Sequence, residues 1–156
     1  MQFFIRKMNE QFAVEILSWK YEAPYDFYNN ELCSENIREL LDHMYYVVVD
    51  GNDQLIGFFC TGTAAQVPIG MEYDAYLDDH IDIGLGLEPE LTGKGYGYSF
   101  FTFILQYIKD AHNDRPVRLT VAKFNQRAIQ LYEKLGFKKQ NEFANHSTDF
   151  MTMGKK

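Results

Sequence analysis

Apolar residues recur along the chain with two different periods, and the change from one to the other marks its elements. Gln2–Lys7 reads as a first strand. Asn9 is placed to cap a helix running to Leu17, because Phe12, Ala13 and Ile16 share one helical face. Ser34–Met44 repeats that spacing in Ile37, Leu40 and Leu41, which predicts a second helix. Tyr45–Val49 and Leu55–Thr63 are β-rich runs separated by the turn formers Asp50-Gly51-Asn52-Asp53, a hairpin signal. Gln66–Asp79 keeps neither period and reads as loop or edge, and Ile81–Leu87 follows as a short strand stopped by Pro89. From Gly95 to about Ala111, Phe101, Ile104, Leu105 and Ile108 mark a helix. Its apolar face is widened by Phe100, Phe103 and Tyr107, as packing between layers requires. Val117, Leu119 and Val121 alternate with Arg118 and Thr120 as a strand. Asn125 then caps a helix bearing Ala128, Leu131, Tyr132 and Leu135, and Gly136 stands where a left-handed C-terminal cap belongs. Phe137–Phe143 and Thr148–Met153 form a last strand pair. The order β-α-α-β-β-β-α-β-α-β-β predicts one mixed α/β domain over residues 1–156, without repeats or linkers.

Composition narrows the partners more than the fold. A chain of 156 residues, 46% apolar, can bury a core without a disulfide or metal staple. The formal charge of −7, with no basic run beyond Lys155-Lys156, excludes a generic phosphate-backbone binder, so no nucleic-acid partner is expected and a cationic one suits the field. Cys33 and Cys60 lie far apart with neither CxxC nor Cys/His metal spacing, which fits reduced thiols and a cytoplasmic protein. The opening MQFFIRKMNEQF has too short an apolar segment for a signal peptide, and no run approaches the ~20 apolar residues of a membrane span.

Chemistry concentrates at Pro89–Phe100, PELTGKGYGYSF, where Gly93, Gly95 and Gly97 alternate just ahead of the long apolar helix. A glycine loop between a strand end and a helix start invites an anion, because the first helical N–H groups lack internal partners and the dipole adds positive charge. A Walker loop fails, since Gly93-Lys94 is followed by Gly95 and the glycine expected earlier is Glu88. A dinucleotide fingerprint fails too, because Tyr98 or Pro89 stands where its last glycine belongs. A turn that only connects two elements remains open on the loop alone.

Leu85-Gly-Leu-Glu-Pro-Glu-Leu-Thr-Gly-Lys-Gly-Tyr-Gly97 resembles the acetyl-coenzyme A motif of the GNAT acetyltransferases. Asn125, Ala128, Tyr132 and Gly136-Phe137 resemble that family's second signature, in the expected order and about thirty residues later. The resemblance implies a mainly antiparallel mixed sheet flanked by helices, with two central parallel strands splayed around the pantetheine arm. Those strands would be Ile81–Leu87 and Val117–Ala122, with Leu85 and Leu87 contacting the arm. It further implies that Thr92, Gly93, Lys94, Gly95, Tyr96 and Gly97 hold the pyrophosphate, with Asn125 as a further cofactor contact. Thr92 stands where the family usually has Arg or Gln, which removes one side-chain contact and keeps the backbone donors. Lys123 and Arg127 either reach the nucleotide phosphates or are ordinary solvated cations.

The implied reaction is direct attack of a primary amine on the thioester of acetyl-CoA in a ternary complex, with a backbone N–H near Leu87 receiving the oxyanion. Tyr132 would hydrogen-bond the departing sulfur, the other reading being a core aromatic beside Leu131 and Leu135. A base must deprotonate the alkylammonium. Asp82 is the choice over Glu72, Asp78, Asp79 and His80, although a solvated acidic rim is the stronger reading for each of these residues, and no metal is expected. Trp19, Glu22, Tyr25 and Asp26 fall where the family builds its acceptor wall and could receive a cationic amine, or else pack the loop as an aromatic cluster. The expected protein is an N-acetyltransferase, with a homodimer possible, and the alternative is a non-catalytic acyl-CoA sensor on the same scaffold.

Overall fold

Asn9 starts the first helix as its side chain predicts, with Oδ1 accepting from the Phe12 N–H at 2.8 Å. The computed structural model describes all 156 residues. They form β1 (Phe4–Lys7), α1 (Glu10–Leu17), α2 (Ser34–Asp42), β2 (Tyr45–Val49), β3 (Leu55–Thr61) and β4 (Ile81–Leu87). After these come α3 (Tyr96–His112), β5 (Val117–Ala122), α4 (Gln126–Lys134), β6 (Lys138–Ala144) and β7 (Asp149–Lys155). The seven strands order as β1-β2-β3-β4-β5-β7-β6. Pairing is antiparallel for β1/β2, β2/β3, β5/β7 and β6/β7, and parallel for β4/β5. The element order and the mainly antiparallel mixed sheet are those expected.

The chain divides into two compact units, residues 1–60 with 85–100, and residues 61–84 with 101–156. In the first, α1 and α2 bring Ala13, Ile16, Leu17 and Leu40 together with Val47, Val49 and Leu55 of the hairpin and with Trp19. All three valines of β2 are fully buried, so this strand is covered on both faces. The hairpin turn is held by Asp50, whose Oδ1 accepts from the N–H groups of Asn52 and Gln54. Helix α2 stops at Asp42, two residues short of expectation, because His43 is already extended and leads into β2.

In the second unit the wide face of α3 supplies Phe101, Ile104 and Ile108, all fully buried, as are Leu119 of β5 and Met153 of β7. Asn125 caps α4, its Oδ1 accepting from the Ala128 N–H at 3.1 Å, and Gly136 ends the helix at φ +94°. The segment read as loop, Gln66–Asp79, contains a 3₁₀ turn over Pro68–Tyr73, preceded by another at Gly62–Ala65. Proline at the first helical position presets φ, and Asp74 closes the turn in the left-handed region at φ 57°. Short 3₁₀ turns leave no hydrophobic period to read.

Candidate functional site

In the first unit, the end of β4 is anchored on both sides of one peptide. The Tyr21 hydroxyl donates to the Leu87 carbonyl at 2.7 Å, and the Glu88 N–H donates to the Ile56 carbonyl at 2.8 Å. Burial, reinforced by the Glu88 carboxylate, pushes the Tyr21 phenol well above its ordinary range, so it stays a donor. One residue back, a Cβ at Gly86 would collide with the Phe58 ring, so this strand approaches its neighbour only as glycine.

Pro89–Leu91 makes a single 3₁₀ turn, and the Thr92 hydroxyl folds back to donate to the Pro89 carbonyl at 2.7 Å. Thr92 therefore closes the turn with its side chain and offers a ligand mainly its backbone. Gly93 and Gly95 follow at φ +72° and +87°, angles that side-chain-bearing residues rarely adopt. At Gly95 the space is open, since a Cβ there would meet nothing within 4 Å. Backbone conformation and not crowding requires that glycine. Helix α3 opens at Tyr96, so Tyr96 and Gly97 belong to its first turn, whose N–H groups have no intrahelical acceptor. Lys94 is exposed on the loop.

Of the residues expected to form the acceptor wall, Trp19 is a core residue, 8% exposed with its ring 6.0 Å from that of Phe58. Glu22 and Asp26 are exposed and Tyr25 is half-buried. The peptide between Ala23 and Pro24 is cis, and a 3₁₀ turn spans Tyr25–Tyr28.

The second unit contains a buried polar network that the sequence did not disclose. Asp82 and Arg118 are direct partners in the parallel register of β4 and β5, and both are almost fully buried. Arg118 Nε donates to Asp82 Oδ1 at 2.6 Å and its NH2 group to Oδ2 at 2.9 Å, while Gln66 Nε2 donates to the same Oδ2 at 2.9 Å. The hydrogen bonds to Asp82 push the Arg118 guanidinium still higher than usual. Arg118 also lies over the Tyr76 ring, 5.2 Å from its centroid, and the Tyr76 hydroxyl bonds to Thr120 Oγ1 and accepts from the Val67 N–H.

Tyr132 is half-buried on α4, its ring 5.4 Å from Phe101 and 6.2 Å from Phe137. The Asn125 side chain accepts from the Ala128 N–H in the α4 cap. Lys123 forms an ion pair with Glu142, which holds that carboxyl below its usual range. His80 has a buried Nδ1 without a hydrogen-bond partner.

Residues 10–137 match the model of the acetyltransferase (GNAT) family. The chain belongs to that family. Among similar proteins, the spermidine N(1)-acetyltransferase of Vibrio cholerae is 26% identical over 136 residues, 86% of this chain and 71% of its own length. The mycothiol acetyltransferase of Salinispora tropica is 28% identical over 102 residues, 65% of this chain but only 31% of that protein. Solved structures agree on the fold. A GNAT-family acetyltransferase from Bacillus anthracis gives a TM-score of 0.73 at 16% identity, over 99% of this chain and 95% of that one. A chimeric form of the Vibrio cholerae spermidine N-acetyltransferase gives 0.70 at 20% identity, with the same coverage. Membership agrees with the N-acetyltransferase reading of the sequence. The GNAT match covers both of the segments on which the resemblance rests.

Two positioning contacts escaped the sequence. Arg118 is only a polar position in the alternating pattern of its strand, and nothing around Tyr21 in the sequence marks its role. Parallel register could have paired Asp82 with Arg118, but no local signal links Tyr21 to Leu87, 66 residues away. No helix is long and apolar enough to cross a membrane.

Proposed function

We propose that this chain is a single acetyl-CoA-dependent N-acetyltransferase domain that transfers an acetyl group to a primary amine by direct attack in a ternary complex. The observation carrying this reading is the glycine loop. Two glycines at positive φ bend the chain into the start of α3, with open space beside Gly95, after a strand end fixed by Tyr21. Such a loop fits a pyrophosphate, since consecutive main-chain donors and a helix N-terminus favour a compact anion. The amides from Gly93 to Gly97 would hold it, with Thr92 contributing backbone and Lys94 adding screened attraction. Leu85 and Leu87 would offer main-chain contacts to the pantetheine arm.

In the reaction, the amine nitrogen forms a bond to the thioester carbonyl carbon, the carbon–sulfur bond breaks, and sulfur leaves with the electron pair. The Leu87 N–H, which belongs to the peptide just before the one held by Tyr21 and Ile56, would face the developing oxyanion. Tyr132 would hydrogen-bond the departing sulfur, and the proton that the nitrogen sheds as the amide forms would end on the thiolate, giving the free thiol. Asp82 is withdrawn from the role of base. Both of its oxygens are engaged, and taking a proton there would sacrifice a buried charge pair. Its assigned work is to hold β4 and β5 in register. Asn125 is assigned to capping α4 so that Tyr132 is presented on an ordered helix. The acceptors named for relatives make polyamines a first choice in an amine panel.

Thiol release from acetyl-CoA across such a panel tests the proposal. Tyr132→Phe should lower kcat about tenfold or more, as loss of a transition-state donor does, while coenzyme affinity stays at the wild-type value. Unchanged turnover would remove Tyr132 from catalysis. Binding of acetyl-CoA with no amine consumed would favour the non-catalytic sensor.

A further inference from the structure

The chain between α1 and α2 folds into a closed loop whose neck lies at Tyr21. Asn29 Oδ1 accepts from the Tyr21 N–H at 2.7 Å, eight positions away, and ties the two ends of the loop together. Inside it, the Tyr25 N–H donates to the Glu22 carbonyl and the Asn29 N–H to the Asp26 carbonyl, so short internal bonds order the loop. Its tip is solvated, with Glu22, Asp26 and Phe27 exposed. Tyr21 and Asn29 at the neck are half-buried.

Tyr21 is fixed at both ends. Its ring packs against the first unit's core, in which Trp19, two residues earlier, is buried. Its N–H is held by Asn29, and its hydroxyl donates to the Leu87 carbonyl at 2.7 Å. A tyrosine has only two side-chain torsions, so a fixed backbone and a packed ring place the hydroxyl at one point. The peptide that it meets is held on its other side too, because the Glu88 N–H donates to the Ile56 carbonyl. A planar peptide bonded through both its oxygen and its hydrogen cannot turn about the chain. The Leu87 N–H lies across a single Cα from that peptide, and its aim follows from how the peptide is set.

An oxyanion donor contributes most when it is aimed before the charge develops, and a misplacement of about 1 Å can cost about a hundredfold in rate. Without the Asn29 oxygen the neck loses the side-chain bond that closes it. The phenol is then kept at Leu87 by ring packing alone.

We propose that Asn29 is a positioning residue for the acetyl transfer, acting through Tyr21 to aim the Leu87 N–H. The effect on rate rests on the reaction proposed above. The mechanical link from Asn29 to the Leu87 carbonyl does not.

Two readouts on the full chain test this. The first, without coenzyme or amine, is the carbon-13 resonance of the Leu87 carbonyl. Tyr21→Phe should move it upfield by removing its donor, Asn29→Ala should move it part of the way, and Asn29→Asp, which keeps an acceptor oxygen, should restore it. The second is turnover at saturating acetyl-CoA and amine. Asn29→Ala should lower kcat about fivefold and leave the dissociation constant of acetyl-CoA at the wild-type value. Asn29→Asp should return kcat to within about twofold of wild type, and Asn29→Ala should cost nothing further in a Tyr21→Phe chain. Wild-type kcat in Asn29→Ala, or equal fractional losses with and without the Tyr21 hydroxyl, would overturn the proposal. A Leu87 resonance unmoved by Asn29→Ala in an active chain would overturn it through the link. The expected resonance shifts in a chain that acetylates no amine would overturn it through the reaction that the link serves.

Discussion

Replacing Arg118 by Met should cost about 3–5 kcal/mol, because it leaves the Asp82 carboxylate buried without its cation. Asp82 is 4% exposed and Arg118 2%, and their two hydrogen bonds are 2.6 and 2.9 Å long. At that range attraction is worth about 6 kcal/mol at an effective dielectric constant near 20. Desolvation costs several kcal/mol per ion, so the intact pair contributes little net stability. The severed pair is the expensive state. In Arg118→Met only Gln66 still donates to Asp82, and a neutral amide cannot replace a guanidinium. Asp82→Leu should lose a similar amount by stranding Arg118. The double variant removes both charges and leaves mainly the unsatisfied Gln66 amide, a penalty of about 1–3 kcal/mol. Urea unfolding of all four proteins, fitted with a common m value, completes the cycle. A double variant that loses the sum of the two single losses, or an Arg118→Met that loses under about 1 kcal/mol, would refute the register lock.

Tyr21→Phe should destabilise the fold by about 1–2 kcal/mol at neutral pH, because it removes the donor to the Leu87 carbonyl. It should also flatten the alkaline stability profile. The folded phenol titrates above its unfolded value near 10, so its contribution is complete below about pH 10 and is lost as pH rises toward the folded value, by up to ~1.4 kcal/mol per pH unit. An equally steep alkaline fall in the variant would contradict this account. Gly86→Ala should cost about 1–3 kcal/mol through the contact with Phe58, read from the urea midpoint, and Phe58→Leu in the same chain should recover part of that loss.

The regular elements were legible because their periods survive in the sequence. Ile81–Leu87 and Val117–Ala122 match their expected bounds. The Asn9 and Asn125 caps are present as read, since a cap is a local bond between near neighbours. The stripe of Ile37, Leu40 and Leu41 predicts a helix as far as Met44, but His43 is already extended and the strand beginning at Tyr45 claims the chain first. The 3₁₀ turns between Gly62 and Tyr73 were illegible, being too short to show a period.

The candidate site was legible in part for the same reason. Gly93 and Gly95 announce unusual backbone angles through their identity alone, and both adopt them. In sequence Asp82 is an acidic strand residue, which suggests proton chemistry. Its partners Gln66 and Arg118 lie 16 and 36 positions away, and only tertiary structure shows that they occupy its oxygens. The family resemblance puts Trp19 in an acceptor wall between the first two helices, whereas its ring completes the core beside Phe58. Sequence locates an aromatic residue but not the side to which it turns.

The central claim is that main-chain donors of the 93–97 loop grip a pyrophosphate. The most direct measurement is the affinity of the full chain for acetyl-CoA beside that for acetyl-pantetheine, which lacks the diphosphate, in wild type, Lys94→Ala and Gly95→Val. Acetyl-CoA should bind wild type at least about a hundredfold tighter than acetyl-pantetheine, lose only a few-fold with Lys94→Ala, and lose most of its advantage with Gly95→Val. Equal affinity for the two ligands, or a larger loss from Lys94→Ala than from Gly95→Val, would contradict it.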